Sequence, residues 1–265
     1  MLMLEIKMPS IFLFVLGAIV VAEAAVPRTS LRIVGGTTTT IDQYPFTANL
    51  LLLSNGGFFR QHCGGTVINE NSVLTAAHCL YRRRPDQFRI RTGSTLASSG
   101  GNIQAVARFF SHSGFVHTTQ DNDIAIMRTT NPIVLVPGLV AVGSLAGSNY
   151  NVPDGASVWA VGWGAGRLNG PGSEQLRHVE VWTVNQEVCK SRYQNIRRTV
   201  TDNMICSGHL DVGGRDQCTG DSGGPLLHEN VVIGLSSWGQ DCASAEYPGV
   251  NVRVSRYIDW IRSNA

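Results

Sequence analysis

Gly220-Asp221-Ser222-Gly223-Gly224-Pro225 sets one serine among three glycines and a carboxylate, surroundings that suit a nucleophile beside an oxyanion site. A serine hydroxyl is a weak nucleophile until a base takes its proton, so this reading requires a histidine and a carboxylate elsewhere. Both occur, in Thr75-Ala76-Ala77-His78-Cys79 and in Asp121-Asn122-Asp123-Ile124-Ala125. Taken singly, Gly-Asp-Ser-Gly-Gly fits a plain tight turn as well as a reactive loop, and a histidine beside a cysteine is more often structural than catalytic. Together the three segments favour hydrolysis through a serine.

Working outward, short β-branched and aromatic runs alternate with Gly, Pro, Asn and Ser clusters: 46–53, 72–75, 88–92, 103–109, 157–161 and 231–236. That spacing predicts an all-β fold, with sandwich and barrel both open. Only the C-terminus reads as helix, with Val254, Ile258 and Ile261 at i, i+4 and i+7 and Ser255 near the start. No repeat, low-complexity tract or linker interrupts the chain.

The N-terminus reads differently. Ile11 to Val21 is a short apolar run followed by Ala22-Glu23-Ala24, which predicts a signal peptide over residues 1–24, cleaved after Ala24. The run falls short of the about 20 apolar residues a bilayer span requires. Glu5 offsets Lys7 in the segment before it, and initiation at Met8 would give a cleaner signal. Six cysteines, at 63, 79, 189, 206, 218 and 242, suit an oxidising compartment, and without closely spaced pairs they favour disulfides over a metal cluster. Counting alone leaves 15 pairings open. Lys7, Arg28 and Arg32 against Glu5 and Glu23 account for one unit of the net charge of +2, which leaves +1 for residues 33–265. So even a balance gives no sign of nucleic-acid or membrane partners. No Asn-X-Ser/Thr acceptor for N-glycosylation occurs.

With these segments in view, the chain resembles the chymotrypsin-like (S1) serine proteases, and most of all the trypsins of insect digestive type. The likeness runs from Ile33-Val34-Gly35-Gly36 through Cys63-Gly64-Gly65-Thr66, Ala76-Ala77-His78-Cys79, Asp123-Ile124-Ala125, Gly162-Trp163-Gly164 and the Ser222 segment to Ser237-Trp238-Gly239 and the C-terminal helix. It implies two six-stranded antiparallel Greek-key β-barrels, roughly residues 33–145 and 146–253, with the active site between them and a C-terminal α-helix. Ser222 would be the nucleophile, His78 the general base and Asp123 the group that orients it, while the N–H groups of Gly220 and Ser222 would form the oxyanion hole. Asp121, outside the core of the motif, reads as a loop carboxylate.

The resemblance further implies that Asp216 forms the base of the primary specificity pocket, with Ser237, Trp238, Gly239 and Gly249 along the bound substrate. A desolvated carboxylate selects a cation, so cleavage after Arg or Lys is expected, with an Asp capping a surface turn as the plain alternative. Asn251 departs from the tyrosine common near the pocket floor, and Ser236 from a usual valine. Arg32-Ile33 would be the activation bond that ends a propeptide over 25–32, freeing Ile33 to pair with Asp221. The disulfides implied are Cys63 with Cys79, Cys189 with Cys206 and Cys218 with Cys242. The stretch from Arg91 to Asn102, where a calcium loop would fall, contains no carboxylate. Neither a metal nor a cofactor is implied. Expected partners are protein or peptide substrates with Arg or Lys at the cleaved position and protein protease inhibitors, acting on a secreted monomer in digestion, or in limited proteolysis of haemolymph or venom. An inactive homologue serving as a binding protein is the alternative from another class.

Two smaller features complete the reading. Arg82-Arg83-Arg84 reads as a solvated loop in preference to a cleft-rim patch that would favour acidic substrates. Lys7 and Lys190 are the only lysines, so the positive charge rests on arginine, which keeps its proton where lysine loses it near pH 10.4.

Overall fold

The computed structural model describes Leu2 and residues 33–265; the rest of the signal segment, the propeptide and Arg32 lie outside the described residues. After the two-residue strand β1 (Thr37–Thr38), the strands β2 (Thr47–Leu53), β3 (Phe59–Asn69), β4 (Ser72–Thr75), β5 (Phe88–Thr92), β6 (Asn102–Ser111) and β7 (Ala125–Thr129) close into an antiparallel barrel of order β2-β3-β4-β7-β6-β5. A short β8 (Ser144–Leu145) leads to a second set, β9 (Ser157–Gly162), β10 (Arg177–Val184), β11 (Met204–Gly208), β12 (Pro225–His228), β13 (Val231–Trp238) and β14 (Gly249–Arg253). These close in the order β9-β10-β11-β14-β13-β12, with β12 returning to β9. In each barrel three consecutive strands form a meander and the fourth lies beside the first, which is the Greek-key rule. β1 extends the second barrel along β10, and β8 runs parallel to β13.

Burial explains why the barrels dock. In β4, Val73 joins the core of the first barrel while Leu74 belongs to the cluster that fills the second barrel and the space between the two. In and just before β7, Ala125 and Met127 face the first core, and Ile124 and Ile126 the shared cluster. Both faces of these segments are therefore apolar, and the period-2 signal of a half-buried strand disappears. β5 keeps it: Phe88, Ile90 and Thr92 are buried, and Arg89 and Arg91 are partly exposed.

The C-terminal helix expected from sequence begins as a 3-10 turn, Val254–Arg256, and continues as an α-helix over Ile258–Asn264. Another helix precedes it in the chain, over Gln186–Gln194 (α1; the C-terminal one is α2). Asn185 caps α1 by accepting from the N–H groups of Glu187 and Val188, and only Cys189 and Tyr193, at i and i+4, are buried. So narrow an apolar stripe explains why the pattern did not announce a helix. Disulfides join Cys63–Cys79, Cys189–Cys206 and Cys218–Cys242. The first ties β3 to the His78 turn, and the second anchors α1 to β11.

No described helix is long and apolar enough to cross a membrane. Across the stretch read as lacking calcium ligands, the Arg91 guanidinium donates to the carbonyls of Gly100 and Ser98. An internal cation thus gathers the loop oxygens.

Candidate active site

β4 ends at Thr75, and the chain turns through a 3-10 helix, Ala77–Cys79, that carries His78. Asp123 immediately precedes the Ile124-Ala125 entry to β7, the strand paired with β4, so adjacent strand ends bring the two together. His78 Nδ1 lies 2.6 Å from Asp123 Oδ2, and the His78 backbone N–H donates to Oδ1 at 2.7 Å. Ser237 Oγ donates to Oδ2 at 2.6 Å. The Asp123 side chain is fully buried, and these donors replace the water a buried carboxylate has lost. Because a carboxylate accepts only, the Nδ1 proton is directed at Asp123 and Nε2 is left as the basic nitrogen.

Ser222 enters from the second barrel, in the loop before β12. That loop is welded to the first barrel: Gly64 N–H donates to the Ser222 carbonyl at 2.8 Å, while Gly223 N–H donates to Ser236 O at 2.7 Å. Gly223, at φ 75°, abuts Thr75 Oγ1 where a Cβ would stand; a side chain here would force the His78 and Ser222 segments apart. His78 and Ser222 line the same cavity, of about 350 Å³, and no hydrogen bond yet joins Nε2 to the serine hydroxyl. Catalytic contacts of this kind commonly tighten only when substrate arrives.

The N–H groups of Gly220 and Ser222 have no partner among the described residues, whereas the groups around them do. Thr219 O accepts from Ala165 N–H at 2.8 Å, Asp221 N–H donates to Cys218 O at 2.9 Å, and Gly220 O accepts from Gln61 Nε2 at 2.7 Å. Each peptide plane beside the two free donors is thus held, and Gly220 at φ 97° adopts a backbone that only glycine takes readily. Gln61 escaped the sequence reading, since nothing local to it signals a contact 159 residues away.

Asp221 points away from the cavity. Its carboxylate, in a residue 2% exposed, accepts from Gly164 N–H at 2.8 Å and Cys218 N–H at 2.9 Å, and burial pushes its pKa up to about 7. Ile33 is fully buried, and Val34 O accepts from Asp216 N–H at 3.2 Å. Asp216 lines the same cavity, its pKa raised by burial to about 8, and its two oxygens accept from Gln217 N–H and Ala243 N–H. A Cβ on Gly249 would lie 2.7 Å from Asp216 Oδ1, and one on Gly239 4.0 Å from Gly249 Cα, so the two glycines keep the slot open. Ser236, Ser237 and Trp238 line the same cavity.

Other residues singled out in the sequence lie apart from the chemistry. Asp121 Oδ1 accepts from Thr201 Oγ1 and Asn203 Nδ2, clasping the two barrels. Arg82, Arg83 and Arg84 are exposed, none lines the cavity, and Arg84 pairs with Asp86. Cys63, His78 and Cys79 bring metal-ligand atom types together, but the two sulfurs are bonded to each other and offer no thiolate.

Two Greek-key barrels meeting over a cleft of this kind define the chymotrypsin-like class of serine endopeptidases. The family model described as Trypsin matches residues 33–261. "Trypsin, alkaline A" of Manduca sexta is 56% identical over 255 residues, 96% of this chain and 99% of that protein. "Trypsin CFT-1" of Choristoneura fumiferana is 53% identical over 91% of this chain and 94% of its own length, and "Achelase-1" of Lonomia achelous 48% identical over 88% and 100%. The chain belongs to the trypsin family and is a trypsin-like serine endopeptidase.

Proposed function

We propose that the protein is a secreted zymogen whose processed form hydrolyses peptide bonds after Arg or Lys through an acyl-enzyme, in digestion. Ser222 attacks the substrate carbonyl, His78 Nε2 takes the hydroxyl proton and returns it to the leaving amine, and Asp123 holds the imidazole and stabilises its cation. The tetrahedral oxyanion is received by the N–H groups of Gly220 and Ser222. The reading is carried by one observation above others: a histidine held at Nδ1 by a fully buried carboxylate shares a cavity with a serine and two unpartnered amide donors. Assay of the Arg32-cleaved protein on matched P1 Arg, Lys, Phe and Ala amides is expected to give turnover on Arg and Lys alone. A preference for Phe would overturn the pocket assignment and leave the mechanism standing.

Activation is proposed to follow cleavage of Arg32-Ile33, when the new Ile33 ammonium pairs with Asp221. Ile33 sits at φ 43°, a strained value for a β-branched residue, and scission removes that torsion. In the uncleaved chain the folded pKa of Asp221, about 7, stands above its unfolded value near 3.9, so its contribution to stability falls as pH rises between the two. The ammonium supplies the missing cation. Its own contribution, from a raised pKa, is complete below the unfolded value near 7.7 and is lost as pH climbs through the folded one. The Tm gained on cleavage, measured in a Ser222→Ala background that prevents self-digestion, is therefore expected to grow from pH 5 to about 7.5 and to shrink in strong alkali. A gain independent of pH would contradict the pairing. The arginine-based charge, with Lys190 and Lys7 the only lysines, suits alkaline fluid, as the word "alkaline" in the Manduca relatives' names suggests for those proteins.

A further inference from the structure

The residue before Asp123 is gripped from the second barrel. Asn122 sits at φ 54°, in the left-handed region that asparagine tolerates better than most side chains, and its carbonyl accepts from Ile124 N–H at 2.8 Å. That bond closes a γ-turn with Asp123 at its centre, so the direction of the Asp123 side chain follows the orientation of the Asn122 peptide. The Asn122 side chain holds that orientation. Its Nδ2 donates to Gly114 O at 2.9 Å and to Asp121 Oδ2 at 3.3 Å, and since a carbonyl and a carboxylate only accept, Oδ1 is turned the other way. There it accepts from the Tyr257 hydroxyl at 3.0 Å and from Asn203 Nδ2 at 3.4 Å. Asn203 Nδ2 and Thr201 Oγ1 also donate to Asp121 Oδ1, at 3.0 and 2.7 Å. Tyr257 stands at the start of α2 and is buried. Burial, and then the charges of Asp121 and Asp123, push its phenol well above the ordinary value, so it remains a donor in alkaline fluid.

We infer that Asn122, held by Tyr257 and Asn203, is a positioning residue that aims the Asp123 carboxylate at His78. The inference rests on the reading of Asp123 as the group that holds the imidazole. On its C-terminal side Asp123 runs into β7, which is fixed by pairing with β4. On its N-terminal side lies a loop whose hydrogen bonds to the second barrel are made by Asp121 and Asn122. Thr201, Asn203 and Tyr257 belong to the body that carries Ser222 and Ser237, so the grip keeps Asp123 in register with the serine as well as with the histidine. Released from it, Asn122 can leave the left-handed region, the γ-turn relaxes and the carboxylate shifts at its root. A misplacement of about 1 Å in a catalytic group costs about 10²-fold in rate. Asn122 touches neither His78 nor Ser222 and acts only through Asp123.

The test uses the Arg32-cleaved protein, with rates normalised to titrated active sites so that the fraction folded drops out. Asn122→Gly allows the same backbone without a side chain to hold it; it is expected to lower kcat by about ten- to a hundredfold, with KM and the affinity for benzamidine unchanged. The downfield proton resonance of the His78 Nδ1–H bond to Asp123 should shift or broaden in the same variant, which a loss of stability alone would not cause. Tyr257→Phe, which alters no residue of the first barrel, should lower kcat in the same direction by a smaller factor. In the Asn122→Gly/Tyr257→Phe double variant the hydroxyl has already lost its target, so kcat should be no lower than in Asn122→Gly. Ser98→Ala serves as the control: Ser98 Oγ donates to Glu174 Oε1 at 2.7 Å across the same two barrels, yet neither residue bonds to Asp123 or lines the cavity, and kcat should hold. An unchanged kcat and resonance in Asn122→Gly, additive losses in the double variant, or an equal loss in Ser98→Ala overturns the inference. Diisopropyl fluorophosphate separates it from the underlying reading: if labelling of Ser222 in the native enzyme does not depend on His78, the triad itself fails, whereas His78-dependent labelling with full turnover in Asn122→Gly defeats the Asn122 role alone.

Discussion

Ser222→Ala is expected to lower kcat by about 10⁴-fold or more, with His78→Ala causing a loss of the same order. The two replacements should not add. Once the hydroxyl is gone the imidazole has no proton to take, so the Ser222→Ala/His78→Ala double variant should be no slower than either single one. KM for the good substrate should change little, since neither side chain contributes to the Asp216 end of the cavity. Asp123→Asn should be nearly as damaging without any loss of fold. An amide NH₂ facing His78 Nδ1 would reverse the tautomer and place the proton on Nε2, where a base is needed. Ser237, which donates to Asp123, can accept from the new amide in the same place. Steady-state kinetics with titrated active sites decide the matter, and additive losses in the double variant would mean that Ser222 and His78 do not work on the same proton.

Asp216→Ser is expected to reduce kcat/KM for P1 Arg and Lys by about 10⁴-fold, the scale on which sites built around a polar partner discriminate. The loss comes from the cation, which would lose the buried carboxylate it pairs with, leaving Asp241 as the one other acidic residue along the cavity. Substrates with apolar residues at that position, excluded from the native enzyme by the unpaired carboxylate they would leave buried, should fall much less or gain. Comparison of P1 Arg and P1 Phe amides reads this directly. An equal fall on both would show that Asp216 serves only to hold the loop around Cys218 and Cys242.

The chemistry was more legible in the sequence than the architecture. Ser222, His78 and Asp123 each stand in a local setting that has a chemical reason, and those settings can be read a few residues at a time. β5 could be read for the same cause, because its alternation of Phe88, Ile90 and Thr92 with arginines is a local pattern. β7 could not: its two faces serve two different cores, and only the partner barrel explains the second. Sandwich and barrel stayed undecided because closure depends on pairings such as Ala48 with Thr92, which no run of sequence contains. α1 hides behind just two buried positions and a capping asparagine. Gln61 and Gln217 are the most instructive omissions. Each bonds through an amide whose partner lies 159 or 34 residues away, so only a structure joins Gln61 to the Gly220 loop and Gln217 to Asn251. The resemblance to a known family marked Asn251 as a departure, and its buried hydrogen bonds give that departure a physical content.

The convergence of Ser222, His78 and Asp123 is tested most directly by treating the Arg32-cleaved protein with diisopropyl fluorophosphate and mapping the adduct by mass spectrometry. Activation of one hydroxyl by one imidazole requires a single diisopropylphosphoryl group on Ser222, with labelling abolished in His78→Ala. Adduct on another residue, or labelling of Ser222 that proceeds equally fast without His78, would contradict it.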